Sequence, residues 1–380
     1  MDLHRHCTVY SATLEADCSG SAGSVIRKHN RVLTVDVHSH AFVPEADAIV
    51  KDRSDKGAEP VGRRPAMATA SAQYNATTMF PAVLPKLTSM QQRLRDMDEM
   101  GIDVQVVSPT SLQHYYWADV DLARQLVSVT NEKLAEHCAR HSDRFVALGN
   151  VSMQHPELAV EQLIHCTSKL GMRGVEISTS INGLELDNDA FAPFWARAEE
   201  IGCVVFLHPA GTSIEGRLNR FYLENIIGRP IETTIALSHL IFGGVLDRHP
   251  GLKIIAAHGG GYLPFYAGRS DHGYSVRPEA HTAKHAPSEY LRRVYFDSLV
   301  YSPESLRNLI SKVGASQVMV GTDYPFDMGS YDVDGLLKAA TDLSETDQQA
   351  IRGANAVNLL RLEELAAQHA ASMSAHERPS

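Results

Sequence analysis

The chain has 380 residues, 44% hydrophobic and 21% charged, with a formal net charge of −10 and a pI near 6.0. Its basic residues are scattered rather than massed in a stripe, which argues against nucleic acid as a partner, and no apolar run approaches the roughly 18 residues that span a bilayer. Five dispersed cysteines (Cys7, Cys18, Cys138, Cys166, Cys203) form no CxxC pair, so they read as reduced thiols of a cytoplasmic protein and speak against cysteine-based zinc or iron–sulfur sites.

In chain order, residues 1–30 are polar and small and include "SGSAGS". They lack the apolar stretch of a secretory signal and are expected to form a flexible extension. Their own HxH, His4 and His6, has no strand beneath it to hold two rings in register, so no site is assigned there. Residues 31–367 then alternate short β-branched runs with helix-period segments. The strand candidates are "VLTVDVH" (32–38), "VQVVS" (104–108), "FVALGNVS" (145–152), "GVEIST" (174–179), "CVVFLHP" (203–209), "KIIAAHGG" (253–260), "VYFDS" (294–298) and "VMVGTDYP" (318–325). Between them lie helical patterns such as "SMQQRLRDMDEMG" and "PFWARAEEIG", which stop on glycine. Eight βα units predict an α/β fold, a closed (β/α)8 TIM-like barrel in one domain. An open doubly wound sheet ranks second, because "HGGGY" lacks the GxGxxG spacing. The last residues, 368–380, are expected to be a disordered tail.

A barrel of this kind places its site at the C-terminal ends of the strands. Three connections there are long, at about 41–87, 210–231 and 261–288, and are expected to shape a pocket. The first strand ends on His38 and His40. Alternate strand residues point the same way, so the two rings converge on the mouth. Alone, such a pair is better explained by core histidines hydrogen-bonded to neighbours. However, the fifth strand ends on His208, the sixth on His258 and the eighth on Asp323. Five metal-binding groups at the ends of four strands point to a metal site, and His and carboxylate donors suit Zn²⁺ first, with Fe²⁺ or Mn²⁺ possible.

These residues resemble the amidohydrolase superfamily, and within it the carboxymuconate-semialdehyde decarboxylase branch. The stretches that carry the likeness are "VDVHSH", "FLHP", "HLIFGGVLDRHPGLKIIAAHGGGYLPF", "GRSDHGYSVRP" and "GTDYPF", within residues 33–360. The resemblance implies that His38, His40, His208 and Asp323 bind one divalent metal, and that His258 is the acid/base of the site rather than a primary ligand. It implies that Arg277 binds a substrate carboxylate, reaching into a neighbouring subunit of a homodimer. It implies a decarboxylase (a carbon–carbon lyase) acting on a small unsaturated or aromatic carboxylic acid. Strand four carries Glu176 where binuclear members place a bridging lysine, and Lys169 lies too early, so one metal is favoured over two.

One departure stands out. The branch has a second substrate-binding arginine before its first barrel helix, whereas residues 65–92 here contain none; Arg63 and Arg64 lie just upstream. A substrate with different acid groups, such as a hydroxymuconate-type semialdehyde or an aromatic acid, fits as well. The same constellation would also serve a hydrolase or hydratase of a related ring-cleavage product. A barrel holding only a structural zinc is disfavoured, since such sites are usually closed and cysteine-rich. "YYW" (115–117) reads equally as pocket wall or packing, glycines 259–261 read as a tight turn, and Asp297 and Asp327 receive no role.

Overall fold

Eight short strands carry the chain around a closed barrel in the computed structural model, which describes residues 32–53, 69–214 and 216–376. They are β1 (Val35–Ala41), β2 (Val104–Pro109), β3 (Phe145–Ala147, continued by Gly149–Asn150), β4 (Gly174–Ile177), β5 (Val204–Leu207), β6 (Lys253–Ala256), β7 (Tyr295–Asp297) and β8 (Val318–Met319). Successive strands pair in parallel from β1 to β3 and from β3 to β8. The ring closes where Val37 N donates to Val320 O at 2.8 Å and Asp323 N donates to His38 O at 2.9 Å. This is the (β/α)8 barrel expected from the rhythm of the sequence. From β3 onward the observed strands are shorter than their apolar runs. Leu148 interrupts β3, and β8 pairs regularly over two residues before the chain turns into the site.

Helices at Met90–Met100 and Ala192–Ile201 pack outside the strands and stop on Gly101 and Gly202, which adopt left-handed φ of 72° and 65°. A side chain there would be strained, so glycine ends both helices. The two faces of each strand bury different partners. Val204 and Phe206 fill the barrel interior with Ile255 and Met319, whereas Val205 and Leu207 pack with Trp195 and other helix residues. Each such fully buried side chain contributes roughly 1.5–3 kcal/mol. Ala356, Leu359 and Leu360, from the helix Asn355–Leu360, close the N-terminal end of the interior. At the other end His208 continues the inward series of Val204 and Phe206.

Several expectations need adjustment. The long connections are partly helical: Pro44–Ile49 and Phe80–Thr88 lie in the first, Ala267–Val276 in the third. The tail expected to be disordered from 368 is helical through His376, as the end of Glu363–His376. Its sequence, "AAQHAASMSA", is alanine-rich and free of glycine and proline, so helix propensity wins. Residues 377–380, His4, His6, Arg63 and Arg64 lie outside the described residues. Among the described residues no helix is long and apolar enough to cross a membrane. Cys138, Cys166 and Cys203 are buried and unpaired. Burial pushes their thiols up, to about 12, 12 and 11 respectively, which makes them poor nucleophiles.

Candidate metal centre

The first strand delivers its two histidines through an irregularity. Val35 and Val37 belong to the interior, but the β1–β2 register shifts between Asp36 and Ser39. One extra residue reverses the phase of the strand, so His38 and His40 both turn inward at the mouth. Ser39 faces out, its hydroxyl donating to Val106 O at 2.9 Å. His208 follows β5. Asp323 follows β8 in a left-handed conformation, φ 57°. His258 also has φ 57°. It follows Ala257 of the interior, so plain alternation would aim it outward, and the turn brings its ring back. Non-glycine residues in this region carry strain and concentrate at functional sites.

These side chains converge. His38 Nε2 lies 3.1 Å from His40 Nε2, and each is 3.3 Å from Asp323 Oδ1. The His208 ring centroid is 5.0 Å from that of His38 and 4.6 Å from that of His40. One donor atom from each of His38, His40, His208 and Asp323 lies within 4.8 Å of the others, and all four residues are buried. His258 stands just outside this set, its Nε2 3.8 Å from Asp323 Oδ2 and its ring 5.3 Å from His38 and from His208.

The cluster fits a cation. His208 Nδ1 and Nε2, Asp323 Oδ1 and His258 Nδ1 are buried without a hydrogen-bond partner, and orphaned buried polar atoms of this kind need an explanation. Three imidazoles and one carboxylate form a donor set for a divalent metal. The electrostatics agree. Burial, reinforced by His40, His38 and His258, keeps His208 well below its ordinary value, so it stays neutral with a free lone pair. Burial would raise Asp323, but the charge of His38 and the close approach of the His258, His38 and His40 rings hold it well below the usual carboxylate range. Burial would lower His38, yet Asp323 and Asp297 outweigh it and lift the imidazole to about 10 when only a proton occupies the cluster.

Asp297, assigned no role from sequence, is buried behind His38. Its Oδ2 lies 2.7 Å from His38 Nδ1 and accepts from His258 N at 2.8 Å. Its Oδ1 accepts from Gly259 N at 2.8 Å and Leu299 N at 3.2 Å. It therefore fixes the outer nitrogen of one ligand and the turn that carries His258. Gly261 completes that turn at φ 66°, where an added Cβ would sit 2.1 Å from Pro230 O. Arg93 lies in the polar helix Met90–Met100, yet it is fully buried. It donates to Gln105 Oε1 at 3.1 Å and to the carbonyl of His40, and its guanidinium lies 4.8 Å over the Tyr324 ring. Arg277 is not brought to the centre of its own chain. It is exposed at the end of Ala267–Val276, and its Nε donates to Glu279 at 2.7 Å. Tyr115 and Tyr116 are buried at 4% and 6% exposure, which favours packing for "YYW". Asp327 is exposed, yet partial desolvation of its carboxyl and the charge of Asp323 raise it.

The sequence matches the amidohydrolase profile over residues 35–362. The chain belongs to the amidohydrolase family. It is 34% identical over 273 residues to 2-amino-3-carboxymuconate-6-semialdehyde decarboxylase of Dictyostelium discoideum, covering 71% of this chain and 76% of the relative. It is 28% identical over 311 residues to gamma-resorcylate decarboxylase of Rhodococcus jostii, covering 77% and 94%. Among solved structures, 5-carboxyvanillate decarboxylase of Novosphingobium aromaticivorans superposes with a TM-score of 0.75 at 26% identity, covering 87% of this chain and 96% of that one. That structure is a complex with manganese and 4-hydroxy-3-methoxy-5-nitrobenzoic acid. The amidohydrolase barrel described here thus sits among metal-dependent decarboxylases.

Proposed function

We propose that this amidohydrolase removes CO₂, without an oxidant, from a small conjugated or aromatic carboxylic acid, with the reacting carbon held between the metal cluster and His258. The observation that carries this reading is the closed set of four donors with a fifth, protonatable imidazole standing 3.8 Å from the carboxylate of Asp323. A purely structural metal site would have no use for that fifth group. His38, His40, His208 and Asp323 would hold the cation, which when bound supplies Lewis-acid polarisation of a substrate oxygen. The rest falls to the chain. An imidazole exchanges protons readily near neutral pH, and Asp323 lies within reach to steady the charged form of His258. His258 delivers a proton to the carbon that bears the carboxylate. The bond from that carbon to the carboxylate then breaks, its electron pair restores the conjugated system, and CO₂ leaves. One proton enters and one CO₂ departs, so no redox partner is needed.

The relatives' substrates, a carboxymuconate semialdehyde, γ-resorcylate and carboxyvanillate, share an acid group on a conjugated carbon skeleton, and this supports the same substrate class here. Zinc suits the donor set best, and the manganese of the carboxyvanillate relative supports manganese as the other candidate; reconstitution of metal-free protein with each ion decides between them. For Arg277 we favour service to a neighbouring copy in a homodimer, supported by its exposure and by Glu279 as the partner seen in its own chain. Mixing His258→Ala and Arg277→Ala proteins tests this. If each site draws one residue from each chain, subunit exchange creates one intact site per heterodimer and activity returns. If Arg277 serves its own chain, no activity returns. The function itself is tested by CO₂ release from these acids, and turnover that leaves every carbon in the product would refute it.

A further inference from the structure

Behind His40 runs a buried polar chain that the reaction above does not use. Glu176, in β4, is fully buried, and Ser108 and His114 are 1% and 3% exposed. Ser108 Oγ donates to Glu176 Oε2 at 2.5 Å and lies 3.4 Å from His40 Nδ1. Glu176 Oε1 is 3.2 Å from His114 Nε2. The His114 ring stacks on Tyr116 with centroids 5.1 Å apart. A hydroxyl has one proton to give. The carboxylate of Glu176 takes it, so Ser108 Oγ can only accept from His40 Nδ1. That leaves the lone pair of His40 on Nε2, which faces His38 Nε2 and Asp323. His208 Nδ1 is 3.9 Å from Glu176, too far for a hydrogen bond, so the direct hold is on His40.

We propose that Glu176, clamped by His114, is a positioning residue that acts through Ser108 to fix the tautomer and rotation of His40 for metal binding. It is the counterpart of Asp297, which contacts His38 directly at 2.7 Å. Outer partners of this kind typically govern metal affinity 10–100-fold. The inference rests on the cation-site part of the proposed function and not on the reaction catalysed, so its test reads metal binding.

The experiment loads metal-free protein with Co²⁺, measures affinity by chelator competition and records the visible absorption of the bound ion. Glu176→Gln and Ser108→Ala are expected to bind about 10–100-fold more weakly with an altered spectrum. Ser108→Thr, which keeps the hydroxyl, is expected to restore both, and His114→Phe to shift both in the same direction by less. If Glu176→Gln does not fold, the Ser108→Ala and Ser108→Thr pair carries the test. Wild-type affinity and spectrum in Ser108→Ala or Glu176→Gln, with only the melting temperature lowered, would overturn the proposal by showing a structural role alone. A wild-type chain that binds no Co²⁺ would remove the cation site and this inference with it. Normal Co²⁺ binding without CO₂ release would count against the decarboxylase reading alone.

Discussion

Replacing Asp297 with asparagine tests the geometry of the centre at one atom. The carboxylate accepts four hydrogen bonds, two on each oxygen: His38 Nδ1 and His258 N on one, Gly259 N and Leu299 N on the other. It is 0% exposed, so no water can stand in. Asparagine has one acceptor oxygen and presents an NH₂ on the other side. Two buried N–H donors must then face another donor. Each unsatisfied buried donor costs about 1–3 kcal/mol, which predicts a loss of roughly 2–6 kcal/mol in stability. If the amide oxygen stays with Gly259, His38 also loses its acceptor, and metal affinity should fall about 10–100-fold, equivalent to about 1.4–2.8 kcal/mol. If it stays with His38, affinity holds and the turn at His258 loosens instead, so kcat falls. Calorimetric unfolding, chelator competition and steady-state kinetics read the three quantities. Asp297→Asn protein with wild-type stability, affinity and turnover together would refute this account of the carboxylate.

Other consequences are equally checkable. His258→Ala should retain its metal and lose on the order of 10²–10⁴ in kcat; loss of the metal, seen by elemental analysis, would make His258 a ligand instead. Loading metal-free protein near pH 7.5 should release about one proton per metal, because His38 is protonated up to about pH 10 without a metal and must be neutral to bind one; calorimetry in buffers of different ionisation enthalpy counts it. The sign carries into stability. His38 is raised above the ordinary imidazole value, so its contribution to the metal-free fold is complete below about pH 6.5 and disappears as pH rises through about 10. Metal-free protein should therefore lose melting temperature across that window while metal-loaded protein, in which His38 is already neutral, loses less. Gly261→Ala should cost at least about 2 kcal/mol, combining backbone strain and overpacking, because its Cβ would meet Pro230 O at 2.1 Å; an unchanged melting temperature would contradict the packing of that turn.

The ligands were legible because strand alternation and the barrel rule act locally: His38 and His40 sit two residues apart, and His208 and Asp323 end apolar runs. The supporting shell was not. Asp297 meets His38 across 259 positions, and Glu176 meets His114 across 62, separations that only the closed barrel brings together. Arg93 sits in a helix of mean polar character, and nothing local marks it as buried. The register shift between Asp36 and Ser39 was also hidden, although the inward turn of both histidines depends on it. At the C-terminus terminal position argued for disorder, while the alanine content of residues 366–375 favours the helix that ends at His376.

The most direct test of the central claim is anaerobic incubation of metal-loaded protein in D₂O with ¹³C-carboxyl-labelled hydroxybenzoates and carboxymuconate semialdehydes, followed by mass spectrometry of gas and product. The account predicts one labelled CO₂ per product for at least one acid and one solvent deuterium at the vacated carbon. It also predicts that a chelator stops the reaction and that a divalent metal restores it. A product that keeps its labelled carbon, or a rate indifferent to the chelator, would contradict it.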